Sequence, residues 1–211
     1  MIQTAKLTAT IQQLAQYDVG IANFRTKYNQ LPGDTNLFPN EWGSPNDLAG
    51  NNDGIIIGVG FGEVSSVWVH LSYGIGLKNI HDSDYGFFYA YDSSVTEDQC
   101  PHLKLDQDNT DVRCLNVLSH WDDPAAPIVY RYMEGPPGYG VVTPAIKPKD
   151  MMAIDLKIDD GKASTGNVFD TRWSPPVSTP ICANGDVYAV ENSYACTLTV
   201  KVNTANGMTI N

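Results

Sequence analysis

The strongest periodic pattern in the chain lies at its N-terminal end. Apolar residues recur there at steps of three or four, which predicts one stripe of an α-helix within residues 1–31. Pro32 and Gly33 end the pattern, because both residue types interrupt helices. The apolar stripe comprises Leu7, Ile11, Leu14, Tyr17, Ile21, Phe24 and Tyr28, and the polar face between them comprises Thr8, Gln12, Gln13, Gln16, Asp18, Asn23 and Lys27. We therefore predict a long amphipathic helix that packs on the domain's own sheet.

A connector and a second helix are predicted for residues 32–84. Asn, Gly, Pro and Asp dominate residues 35–62, which is the composition of a structured loop. From Glu63 to Leu77 apolar residues again recur at helical spacing. We expect this second helix to pack on the first.

Residues 85–211 contain short apolar runs between Gly, Pro and Asp turns. The runs are rich in aromatic and β-branched residues, which is typical of antiparallel strands. They occupy residues 85–91, 128–133, 139–146, 186–191 and 196–202, with polar or proline-rich insertions at 93–123 and 172–180. Because helices come first and strands follow, the pattern predicts an α+β fold in a single domain spanning residues 1–211.

Composition narrows the class of protein. A chain of 211 residues with 42% hydrophobic residues can bury a core and is not disordered. Its net charge of -11 repels phosphate backbones, so nucleic acid is not an expected partner. No apolar run reaches the roughly 18 residues of a membrane span, and the start lacks the apolar centre of a signal peptide. Since no capping residue precedes the first helix, we expect a longer helix in the full-length protein.

The four cysteines fall into two local pairs. Cys100–Cys114 and Cys182–Cys196 each enclose 13 residues. An even count at short spacing predicts two disulfides, each adding roughly 3 kcal/mol, and hence export to an oxidising compartment. Zinc held by the first pair with His102 and His120 is the alternative, but the Cys-x-x-Cys spacing of zinc sites is absent.

Two oxygen-rich loops are candidate calcium sites. Asn51 and Asp53 belong to the first, and Asp155, Asp159, Asp160 and Asp170 to the second. Calcium prefers several carboxylate and carbonyl oxygens, and a neighbouring glycine allows the sharp turn between them. The same residues are also ordinary turn formers, and the first loop lacks acidic residues at both ends of the helix–loop–helix calcium pattern. Turn formation is therefore the favoured interpretation of both loops.

No motif indicates catalysis. The glycine-rich residues 58–63 lack the last glycine and the βαβ context of a dinucleotide site. A Gly-x-Ser-x-Gly elbow and paired histidine spacing are also missing. His70 is predicted to lie at the surface of the second helix. We expect a protein that is not an enzyme, while a triad assembled from distant residues stays an alternative.

Four sequence segments occur in an order that is typical of one superfamily. They are ATIQQLAQYDVGIANFRTKYNQLPGD (9–34), LAGNNDGIIIG (48–58), GEVSSVWVHLSYGIGL (62–77) and IDLKIDDGKASTGNV (154–168). Together they resemble type IV pilins and type II secretion pseudopilins. The resemblance implies a pilin-like fold and an upstream helix that is processed and methylated by a prepilin peptidase and then anchors the subunit. The chain departs from the family by lacking the Gly-Phe-Thr-Leu-x-Glu start and its apolar helix.

The predicted function follows from this resemblance. We expect a structural subunit of a type IV pilus or type II secretion pseudopilus, anchored in a bacterial inner membrane, with this domain in the periplasm or an extracellular filament. Its expected partners are other pilin or pseudopilin subunits, the membrane and the assembly machinery. Some major pseudopilins bind calcium in a C-terminal loop, and no other cofactor is expected. The predicted assembly residues on the first helix are Leu7, Ile11, Leu14 and Ile21.

Two alternatives stay open. The first is an adhesin-like pilin that recognises a surface or a secreted substrate through the insertion between Cys100 and Cys114. The second is an exported enzyme of unrelated fold. The upstream coding sequence separates them most directly, because the favoured function requires an apolar stretch of about 20 residues there.

Overall fold

The structure is a computed structural model. It describes residues 2–37, 50–56, 63–77, 101–106, 113–119, 128–134, 144–170, 181–190 and 192–202. Within these ranges the chain forms three α-helices, six β-strands and a 3₁₀ turn. The helices are α1 (Ile2–Tyr28), α2 (Glu63–Ile75) and α3 (Pro148–Ile158), and the 3₁₀ turn is Lys104–Asp106. The strands are β1 (Arg113–Ser119), β2 (Ile128–Glu134), β3 (Val168–Asp170), β4 (Ala183–Asn184), β5 (Val187–Tyr188) and β6 (Leu198–Lys201).

Four strands form an antiparallel sheet in the order β1-β2-β6-β3. β1 and β2 pair along their whole length, from Arg113 opposite Glu134 to Ser119 opposite Ile128. β6 lies between β2 and β3, and β4 pairs with β5 in a separate hairpin. The predicted α+β class, with an N-terminal helix on an antiparallel sheet, is confirmed.

The core lies between the helices and one face of this sheet. We call it the first face. α1 buries its apolar stripe there, and α2 and α3 pack beside it. The largest fully buried side chains include Trp68, Tyr17, Tyr130, Phe24, Leu14 and Ile21. The Tyr17 ring meets Trp68 edge-on at 4.8 Å and lies 6.5 Å from Tyr130 of β2. These contacts join both N-terminal helices to the centre of the sheet.

The polar face predicted for α1 is partly wrong. Gln13 and Asp18 of that face are buried, at 8% and 0% exposure, and so is the neighbouring Thr10, at 0%. The Gln13 amide donates to the carbonyl of His102 at 2.8 Å and accepts the N–H of Lys104 at 3.1 Å. Thr10 accepts the N–H of Leu105 at 2.8 Å. The burial of Thr10 and Gln13 is tolerated because their side chains satisfy backbone groups of residues 101–106.

The turn after α1 holds the two N-terminal helices together. α1 ends at Tyr28, before the predicted residue 31, because Asn29 adopts a left-handed conformation with φ 55°. Gly33 follows with φ +93°, and a Cβ there would lie 2.6 Å from the carbonyl oxygen of Glu63. Its N–H donates to Nδ1 of His70 at 2.8 Å. His70 is 3% exposed, so its predicted surface position is wrong.

Two elements differ from the sequence-based prediction. β1 lies inside residues 93–123, which were predicted as an insertion, and α3 lies inside residues 85–211, which were predicted as strands and insertions. Of the predicted strand at 139–146, the described part forms only an isolated bridge between Ile146 and Cys196. The predicted strand at 85–91 lies outside the described residues. β1 and α3 are short, and their burial depends on partners distant in sequence.

We predict that His70 makes the domain sensitive to acid. Burial lowers the pKa of His70 from 6.5 to about 4, so between these values the unfolded chain binds the proton more readily. Stability therefore falls as pH falls through this window, by roughly 3 kcal/mol over its full range. His70→Asn places an uncharged acceptor near Nδ1 and should remove this loss. Chemical denaturation of both proteins from pH 7 to 4 measures the difference.

A second variant separates charge from hydrogen bonding. His70→Phe removes the acceptor, so the buried N–H of Gly33 loses its partner at a cost of about 1–3 kcal/mol at every pH. The pKa of Asp155 is raised to about 6, so its protonation changes stability with pH in the opposite direction. Because Asp155 is present in wild type and in both variants, it does not affect the comparison. A parallel pH dependence of wild type and His70→Asn would contradict the prediction.

Candidate functional site

Three carboxylates gather where α3 ends. Asp155 lies on the last turn of α3, and Asp159 and Asp160 follow the helix directly. One oxygen from each lies within 4.8 Å of the others. Asp155 is fully buried, Asp159 is half-buried and Asp160 is exposed. The structure thus brings together three of the four acidic residues of the second predicted calcium loop. The fourth, Asp170, is not part of this group: it lies in β3 and accepts the N–H of Thr197 at 2.8 Å.

The carboxylate oxygens of this cluster already accept hydrogen bonds from the chain. Asp155 accepts the Tyr188 hydroxyl at 2.7 Å and the N–H of Gly161 at 3.2 Å. Asp160 accepts the N–H of Lys162 at 2.9 Å and the Thr165 hydroxyl at 2.7 Å. Asp159 accepts the N–H groups of Asn167 and Val168. Hard oxygen ligands suit calcium, but three carboxylates are fewer than the six to eight ligands it takes. The bonds therefore favour the turn interpretation.

The charges of the cluster act on Asp155. Its pKa is raised to about 6, first by burial and then by the charges of Asp160 and Asp159, while the bonds from Tyr188 and Gly161 oppose the rise. The pKa of the exposed Asp160 is lowered, chiefly by the Thr165 hydroxyl. The buried hydrogen bond that Tyr188 donates to Asp155 also joins the β4–β5 hairpin to α3.

The first predicted calcium loop is organised around Asp34. The Asp34 carboxylate accepts the N–H groups of Asp53 and Gly54 at 3.1 and 2.8 Å. Asn51 accepts the N–H of Asp53 at 2.9 Å, and Asp53 accepts that of Ile55 at 2.9 Å. These are consecutive Asx turns. Asn51 and Asp53 thus lie together, with their oxygens bonded to backbone and with Asp34 buried beneath them.

The cysteines divide between described and undescribed parts of the chain. Cys182 and Cys196 are joined by a disulfide with Cα atoms 4.8 Å apart. Cys114 lies in β1, whereas Cys100 lies outside the described residues. The N–H of Leu115 donates to the carbonyl of Pro101 at 3.0 Å, so the backbone segments beside both cysteines are adjacent. The zinc alternative includes His120, which also lies outside the described residues.

The four predicted assembly residues lie on one side of α1. Ile11, Leu14 and Ile21 are buried in the core, at 4%, 0% and 0% exposure, and Leu7 is half-buried at its margin. None of the described helices combines the length and apolar character needed to cross a bilayer. The side chains of residues 3–9 are all exposed or half-buried. Residues 3–9 are therefore the part of α1 that buries no side chain in the domain.

Sequence reasoning missed three residues of these sites. Asp34 organises the first loop, and the signal was its position in the Leu-Pro-Gly-Asp turn. Tyr188 lies in a strand-like run with no local sign that its hydroxyl meets Asp155. Gln13 was assigned to the solvent face, because helical periodicity does not reveal a partner segment that is 89 residues away.

We predict that non-reducing peptide mapping will find both Cys182–Cys196 and Cys100–Cys114. The first link is present in the structure, and the second follows from the adjacency of Leu115 and Pro101. Linked peptides should separate after reduction. Crossed pairs, or a free thiol at Cys114, would contradict the second link and weaken the inference of export.

We predict that calcium does not stabilise the domain beyond an ionic-strength effect. A ligand that binds only the native state raises the melting temperature by mass action, and the acidic loop oxygens are already bonded. Thermal unfolding with calcium chloride up to millimolar concentrations, against sodium chloride at matched ionic strength, tests this. A calcium-specific rise that Asp159→Asn or Asp160→Asn abolishes would establish a metal site instead.

No protein-family model matches the chain, and no curated protein or solved structure gives a significant match. The geometry of the chain and its sequence motifs are therefore the grounds on which a function is proposed.

Proposed function

We propose that this protein is a structural subunit of a type IV pilus or type II secretion pseudopilus, which assembles through α1. The proposal rests on the division of α1 into two parts. From Thr10 onward the helix buries one side in the domain, while residues 3–9 bury no side chain. A helix held firmly at one end and accessible at the other suits packing against copies of itself. The pilin-like motifs of the sequence support the same function.

The charge distribution also supports polymerisation. α1 holds Lys6, Arg25 and Lys27 against Asp18, a net charge of +2 in a chain of -11. Asp18 is buried, so the accessible charge of the helix is positive. Opposite potentials on two surfaces of one subunit favour a head-to-tail contact between copies. Such a contact repeats along a filament when its rotation does not close.

In this proposal the same helix also provides the contacts with the membrane and with the other components of the assembly. An upstream apolar extension of α1 contacts the inner membrane, and the assembly machinery and neighbouring subunits act on that extension. The described domain then lies in the periplasm or in an extracellular filament. It performs no chemistry, and its acidic loops serve as turns.

We predict that Leu7→Lys in the full-length protein blocks assembly and leaves the isolated domain folded. The new ammonium group would be desolvated between packed helices without a partner, at a cost of several kcal/mol. Leu7 is half-buried at the margin of the core, so the domain itself loses little. Filament formation or secretion, together with the melting temperature of the isolated domain, measures the two effects.

Two variants serve as controls. Val187→Lys places the same charge on an apolar side chain that is 71% exposed and lies on β5, and it should assemble normally. Leu14→Lys charges a fully buried position and should unfold the isolated domain. Normal assembly of Leu7→Lys would overturn the proposal and favour an adhesin or an exported enzyme.

A further inference from the structure

We draw no further inference here: the strongest candidate, the group of exposed apolar side chains that Ile181, Val187 and Val190 form along the β4–β5 hairpin and its flanks, carries no proposal because nothing among the residues that the structure describes shows what covers it.

Discussion

The burial of Trp68 between α1 and β1 is the contact on which the rest of the structure depends. The indole is fully buried, it meets the Tyr17 ring at 4.8 Å, and its N–H donates to the carbonyl of Leu115 at 3.1 Å. An aromatic side chain of this size removes about 150–250 Å² from water, worth roughly 4–6 kcal/mol. That is a large share of the 5–15 kcal/mol that typically stabilises a domain. One side chain thereby fixes α1, α2 and the sheet edge together.

Once α1 is fixed, its polar side chains determine where later segments run. Thr10 and Gln13 bind the backbone of residues 101–106, and Leu115 of β1 then pairs with Pro101. The base of the insertion that precedes β1 is thus set by hydrogen bonds to the first helix. Asp34 does the same for residues 50–56. In both places a buried polar side chain replaces the backbone partner that a regular strand would supply.

The sequence by itself determined the features that rest on local pattern. Helical periodicity predicted α1 and α2, short runs of aromatic and β-branched residues between turns predicted β2 and β6, and short spacing predicted the pair Cys182–Cys196. The left-handed Asn29 shifted the end of α1 by a few residues, which periodicity does not resolve. These features are accessible because neighbouring residues decide them.

Only the tertiary structure decided the rest. His70 and Gln13 are polar residues of types usually found at the surface. Each is buried because its side chain forms a hydrogen bond with a backbone group of a distant segment. β1 and α3 gain their stability from the sheet and helices that they meet, not from their own short patterns. The approach of Asp155 to Tyr188 likewise depends on how α3 packs against the β4–β5 hairpin. Such pairings are fixed by packing across many residues, and no local pattern records them.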